Sequence, residues 1–223
     1  YNYFYLNYCP IQRIVYKNKK NKQGQEELIK VRELAFPDFY DYDYYYFQAI
    51  ESAQDQGKHL CVAKARRKGY SYKGGSMLCR NFFLIPGSKS YVYASNKQYL
   101  TDDGILTKAW DYMDFIDENT AWGKKRQAVN TSMRRRASMI VTDNFGNKIE
   151  VGYKSEIIGV SLKDNPDAVR GKAGMLILWE EAGTFPELKA AWQIARPSVE
   201  QDGVAFGLMI MFGTGGDEGP AVM

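Results

Sequence analysis

Apolar residues gather in short uninterrupted runs, separated by polar stretches and glycine-marked turns. Residues 174–179 (GMLILW) are apolar throughout, and residues 205–212 form a second such run with Met and Phe. A strand of this kind needs cover on both faces, which a parallel sheet flanked by helices provides. Residues 59–63 (HLCVA) end apolar and read as a short buried strand. Residues 90–94 (SYVYA) alternate, and residues 156–162 add another strand. Helical stretches fall between them. Residues 44–56 read as one helix, closed by Gly57, and residues 72–83 as another, carrying the pair Gly74-Gly75 and ended by Pro86-Gly87. A third helix runs through residues 110–116, with Ser95 or Thr101 as its cap, and Pro186-Glu187 looks like the start of one more. Residues 137–142 and 148–153 flank the turn Asn144-Phe145-Gly146-Asn147 and read as strands on either side of it. Strands interleaved with helices predict an α/β fold with a mainly parallel central sheet.

The amino terminus has a different texture. Residues 1–16 are aromatic and β-branched, interrupted by Pro10; residues 17–25 (KNKKNKQGQ) form a polar basic turn, and residues 26–31 return as a strand. This predicts a hairpin or extended arm over residues 1–35, ahead of one large domain over residues 36–223. The lysine-rich tip is either a solvated turn or a nucleic-acid contact. Composition agrees with a globular chain: 223 residues, 45% apolar and 25% charged. A net charge of +4 permits a polyanionic partner without demanding one. Three cysteines, Cys9, Cys61 and Cys79, lack the number and spacing of a disulfide framework or zinc site, so a reducing compartment is expected. No apolar run is long enough to span a bilayer and no signal peptide is visible. Without an initiator Met, and ending on a glycine-rich stretch, the sequence reads as a piece of a longer protein.

Between the strand at 59–63 and the helix at 72–83 lies Lys64-Ala65-Arg66-Arg67-Lys68-Gly69-Tyr70-Ser71. Strand, basic glycine-containing loop and helix is the layout of a phosphate-binding loop. Against the pattern G-x-x-x-x-G-K-[ST], Gly69 and Ser71 fall on the second glycine and the hydroxyl, Lys64 stands at the first glycine, and Tyr70 replaces the lysine. A triphosphate such as ATP needs backbone donors at a helix start, a flexible cation and a hydroxyl for Mg²⁺. Gly69 allows close approach, Ser71 can ligate Mg²⁺, Lys64 can supply the cation, and Arg66, Arg67 and Lys68 add charge. Upstream, Gln48 offers a donor–acceptor amide suited to the edge of adenine, with Phe47 or Tyr46 as a stacking ring. The alternative is a helix that turns its aromatic side into the core.

The run 174–179 ends in Glu180-Glu181, at the carboxyl end of a buried strand where open α/β sheets bind ligands. In that place the first acid holds Mg²⁺, usually through water, and the second orients or deprotonates the attacking water. The run 205–212 enters Gly213-Thr214-Gly215-Gly216, where Thr214 can sense a γ-phosphate or merely belong to a glycine turn. Arg170 either reaches phosphates across a subunit interface or sits in an exposed loop. Arg134-Arg135-Arg136 is either an exposed cluster at a strand start or a phosphate-backbone contact.

Taken together, KARRKGYS resembles the deviant Walker A motif of tailed-phage large terminase subunits, LILWEEAGTFPE resembles their Walker B, and MFGTGG their coupling motif III. Arg170-Gly171 falls where that family carries an arginine implicated as a trans-acting finger. Order and spacing fit over residues 44–216. Glu180 departs from the usual Asp, and the Walker lysine is absent from its place. The resemblance implies an ASCE-type P-loop ATPase core with the coupling strand between the Walker A and Walker B strands. It further implies a pentameric ring docked on the portal protein of a procapsid in the host cytoplasm, working with a small terminase subunit and driving double-stranded DNA inward on ATP hydrolysis. The family's nuclease acids are not seen in this stretch, so no cutting activity is expected of it. Two other readings carry the same motifs: a helicase-like nucleic-acid ATPase, and a DNA-binding scaffold with an inactive loop.

Overall fold

The two uninterrupted apolar runs become adjacent strands at the centre of one sheet. A computed structural model describes residues 1–21 and 24–214. A short helix α1 (Asn2–Tyr8) leads into an antiparallel ribbon, β1 (Ile11–Lys20) and β2 (Glu26–Ala35). Helix α2 (Asp41–Asp55) precedes β3 (Leu60–Ala63), and α3 (Tyr70–Leu84) precedes β4 (Lys89–Ala94). Helices α4 (Gln98–Thr101) and α5 (Ile105–Asn119) follow, then short strands β5 (Val129–Asn130) and β6 (Arg134–Arg136). The hairpin β7 (Met139–Thr142) and β8 (Lys148–Val151) leads to β9 (Glu156–Ser161) and then β10 (Leu176–Trp179). Helix α6 (Leu188–Ala195), the small pair β11 (Glu200–Gln201) and β12 (Val204–Ala205), and β13 (Leu208–Gly213) come last.

The central sheet has seven strands in the order β3-β13-β10-β4-β9-β6-β5. From β3 to β9 every neighbouring pair is parallel, and β6 and β5 add an antiparallel edge. The strand that ends near Thr214 therefore lies between the strand leading to Lys64 and the strand ending before Glu180, the order implied by the resemblance. The pleat explains the unbroken apolar runs. Leu176, Leu178, Leu208, Ile210 and Phe212 face α1, α2, α3 and α5, whereas Ile177, Trp179, Met209 and Met211 face α6. Each buried Leu or Ile stabilises by about 1.5–3 kcal/mol, so the two central strands anchor the domain.

Gly74-Gly75 lies where α3 meets α5. A Cβ on Gly75 would stand 3.2 Å from both the Ala109 nitrogen and the Lys108 Cβ, so its absence sets how near the two helices come.

Several expectations are corrected. Residues 2–8 are helical, not extended: Phe4, Tyr5 and the following Cys9 are buried against the body, and that burial outweighs aromatic β-propensity. Only β1 and β2 form a ribbon, and Lys22 and Gln23 of the basic turn lie outside the described residues. Strand β3 is an edge strand, with Cys61 exposed, and not a buried one. Neither Ser95 nor Thr101 caps a helix; α4 starts after Lys97 and α5 after Gly104. The arginine triplet forms a strand with Arg134 exposed, and all three side chains are ion-paired. Arg134 donates to Glu156 at 2.5 Å, Arg136 to Glu150 at 2.6 Å, and Arg135 to Asp114 at 3.3 Å. Among the described residues no helix is long and apolar enough to cross a membrane.

Gly75→Leu forces a side chain between α3 and α5. It is expected to cost about 2 kcal/mol or more, read as a lower urea midpoint. An unchanged midpoint would show that the two helices need no such close approach.

Candidate functional site

The basic loop of residues 64–69 starts where β3 stops. The Lys64 amide donates to the Gly213 carbonyl at 3.0 Å, so the loop's first residue is tied to the end of β13. The chain then turns through Arg67 at φ 61° and Gly69 at φ 71° before entering α3. Gly69 takes the left-handed conformation without the penalty a Cβ brings, and its carbonyl accepts the Lys73 amide to open the helix. Ser71 is thereby the second residue of α3.

The parallel register brings the end of β10 to the same lip. Ser71 Oγ donates to Glu180 Oε1 at 2.6 Å, and Lys64 Nζ donates to Glu181 Oε1 at 2.5 Å. These contacts join positions 109 and 117 residues apart in sequence. Glu180 is buried, and its second oxygen, Oε2, has no hydrogen-bond partner. Burial pushes its carboxyl up to about 7, with Glu181 adding to the rise while the Ser71 hydroxyl and the Lys64 charge oppose it. Glu181 holds a left-handed conformation at φ 49°, unusual for a residue with a Cβ, and this turns the chain sharply away from the strand. Its amide oxygen accepts from Thr184, whose hydroxyl also pairs with Ser95 at 2.8 Å.

These side chains border a cleft of about 640 Å³. Lys64, Arg66, Arg67 and Ser71 form one wall, with Glu180, Glu181 and Thr214 at the strand ends. The opposite wall carries Gln98, Tyr99, Asp102 and Asp103, none of which stood out in the sequence, because α4 is short and no motif marks it. Gly215 and Gly216 of the glycine run lie outside the described residues.

Other predicted residues lie away from the cleft. Phe47 is 2% exposed inside the core and Tyr46 is 7% exposed, so neither ring offers a face to a base. The stacking role assigned to them is overturned: α2 packs its aromatic side inward. Gln48 is exposed and donates to the Tyr44 hydroxyl at 2.7 Å. Lys68 stands over the Tyr42 ring. Tyr70 packs against Tyr46 and Phe212, and neither it nor Ala65 borders the cleft. Arg170 lies on the surface, its guanidinium 2.5 Å from Asp167.

Glu180 and Ser71 fit Mg²⁺. A hard cation takes oxygen ligands, and here a buried carboxylate oxygen lacks a partner beside a hydroxyl. Among the described residues no group of three or more His, Cys, Asp or Glu side chains could hold a metal, so any such ion would take its remaining ligands from water and phosphate.

The folded protein holds a proton on Glu180 up to about pH 7, whereas the unfolded chain releases it near the ordinary value of 4.5. Stability from this site is therefore complete below the unfolded value and is lost as pH rises through 7, by an amount on the order of 3 kcal/mol. Glu180→Gln is expected to flatten that loss, measured by urea unfolding at pH 5 and pH 8 without Mg²⁺. An identical slope in parent and variant would place the titration elsewhere.

No family model matches the chain, and no curated protein matches it in sequence. Solved structures do match in fold. A mutant of the Thermus phage P74-26 large terminase ATPase domain aligns with a TM-score of 0.58 and 16% identity, over 82% of this chain and 68% of that one. The P74-26 large terminase ATPase domain in another structure gives 0.55 and 19%, over 82% and 67%. The HK97 bacteriophage large terminase gives 0.51 and 11%, over 80% of this chain and 34% of its own length. The chain therefore shares its fold, an α/β core with a mostly parallel central sheet, with the ATPase domains of phage large terminases.

Proposed function

We propose that this chain is the ATPase motor domain of a phage large terminase subunit, hydrolysing ATP to drive double-stranded DNA into a procapsid. The observation that carries the reading is the meeting of Ser71 with Glu180 at 2.6 Å and of Lys64 with Glu181 at 2.5 Å across one cleft. A hydroxyl, two carboxylates and a mobile cation are the groups a metal–triphosphate site requires. The fold shared with terminase ATPase domains supports the same reading.

The roles follow from the surroundings of each group. Lys64, Arg66 and Arg67 hold the phosphates, with the amides at the start of α3 as further donors. Ser71 and Glu180 hold Mg²⁺, which when bound supplies charge stabilisation on the phosphate oxygens. Glu181 accepts a proton from water as that water's oxygen bonds to the γ-phosphorus. The bond from phosphorus to the β–γ bridging oxygen breaks, and ADP leaves with that electron pair. Without nucleotide, Lys64 neutralises Glu181. An arriving γ-phosphate competes for the same ammonium, so substrate binding itself frees the base. Thr214, where β13 ends, reads the γ-phosphate.

Arg170 suits action on a neighbour. Its guanidinium is exposed, pairs among the described residues with nearby Asp167, and does not border its own cleft. A ring of subunits, engaged with a portal protein, a small terminase subunit and duplex DNA, completes the proposal.

Glu181→Gln should bind nucleotide within about threefold of the parent while turnover falls about a hundredfold or more. Calorimetry with a non-hydrolysable ATP analogue and Mg²⁺, paired with phosphate-release kinetics, reads both. Turnover at the parent rate removes Glu181 as the base. No binding heat from the parent protein favours a scaffold with an inactive loop. In the same calorimetry Ser71→Ala should lose most of the gain in affinity that Mg²⁺ brings.

A further inference from the structure

Lys73, in the second turn of α3, is completely buried. Burying an ammonium costs several kcal/mol unless it is paired and hydrogen-bonded. Its partner is the buried Asp43 in the first turn of α2, to which Nζ donates. Aromatic faces complete the enclosure, with Nζ 4.3 Å from the ring centroid of Tyr70, 5.3 Å from Tyr42 and 5.5 Å from Tyr46. Desolvation lowers the lysine's pKa, while the hydrogen bond and charge of Asp43 oppose that shift.

This pair touches the phosphate loop from behind. A Cβ on Gly69 would meet Lys73 Cε at 4.0 Å and the Tyr5 hydroxyl at 3.8 Å, so the lysine stem runs directly beneath the loop's glycine. Tyr42, next to Asp43, also lies under Lys68 Nζ at 5.4 Å. Tyr70, at the loop's end, packs edge-on against Tyr46 at 5.0 Å. The start of α2 thus grips residues on both sides of Gly69. Neither Asp43 nor Lys73 borders the cleft.

An apolar pair of the same volume is often as stable as a buried ion pair, or more so. What an apolar pair lacks is direction, since dispersion and burial fix no angle. A charge-assisted hydrogen bond fixes where one helix sits against the other. We propose that Asp43 and Lys73 are positioning residues for the phosphate loop, their buried pair holding residues 68–71 in the shape that receives a triphosphate. The proposal rests on the nucleotide reading of the cleft.

The test is a double variant, Asp43→Leu with Lys73→Met, that keeps volume and removes both charges. It is expected to fold, with a melting midpoint at or above the parent's. It should bind a non-hydrolysable ATP analogue with Mg²⁺ about tenfold more weakly or worse, because small misplacements of binding groups are costly. Parent-like affinity in the folded double variant overturns the proposal. Should that variant fail to fold, Asp43→Asn decides: weaker affinity with an unchanged near-ultraviolet circular dichroism spectrum supports positioning, and unchanged affinity overturns it. If the parent itself binds no analogue, the nucleotide reading fails first, and this proposal fails with it.

Discussion

A carboxylate taken out of water is costly, and the sheet itself takes Glu180 out of water. The residue ends the most buried strand of the domain, with β13 on one side and β4 on the other, and its amide is held by the Tyr93 carbonyl at 2.8 Å. The sheet therefore fixes the backbone from which the side chain departs. Burial disfavours its charged form, and one oxygen has no hydrogen-bond partner while the Ser71 hydroxyl satisfies the other. Everything at the cleft follows from this constraint. The loop after β3 supplies cations, and the left-handed turn at Glu181 sets the second carboxylate against Lys64, which offsets the like charge it brings near the first. A divalent cation would relieve the cost that folding has imposed.

The strands were legible because the physics behind them is local. A continuous apolar run such as residues 176–179 has few stable settings outside a sheet covered on both faces, and the alternation of its residues between two cores follows from the pleat. The chemistry at strand ends was legible for a related reason: motifs at the carboxyl edge of adjacent parallel strands must converge. The order of those strands came from the resemblance to terminases, since nothing in the local pattern fixes it.

What stayed hidden depended on pairings between distant residues. Residues 2–8 look like a strand by composition but become a helix because Phe4 and Tyr5 find a core to enter. Phe47 and Gln48 are adjacent, yet helical geometry sends one inward and the other to solvent, and the sequence does not say which. The arginine triplet finds acids on β8, β9 and α5. Asp43 and Lys73 are 30 residues apart, and only the packing of α2 on α3 reveals them as a pair. A weak signal was present, for Lys73 is the lone cation in an otherwise uncharged stretch of helix from Tyr70 to Cys79.

Lys64 and Thr214 step off neighbouring strands at the same level, and the amide of the first is bonded to the carbonyl just before the second. That single rung couples them mechanically. Strand β3 is an edge, and among the described residues β13 is its one partner in the sheet. A sub-ångström slide of β13 along its axis would draw the lysine with it and loosen its grip on Glu181. On the proposed nucleotide reading, departure of a phosphate at the Thr214 tip would thus reach the adjacent tip through the backbone, without any side chain serving as a relay.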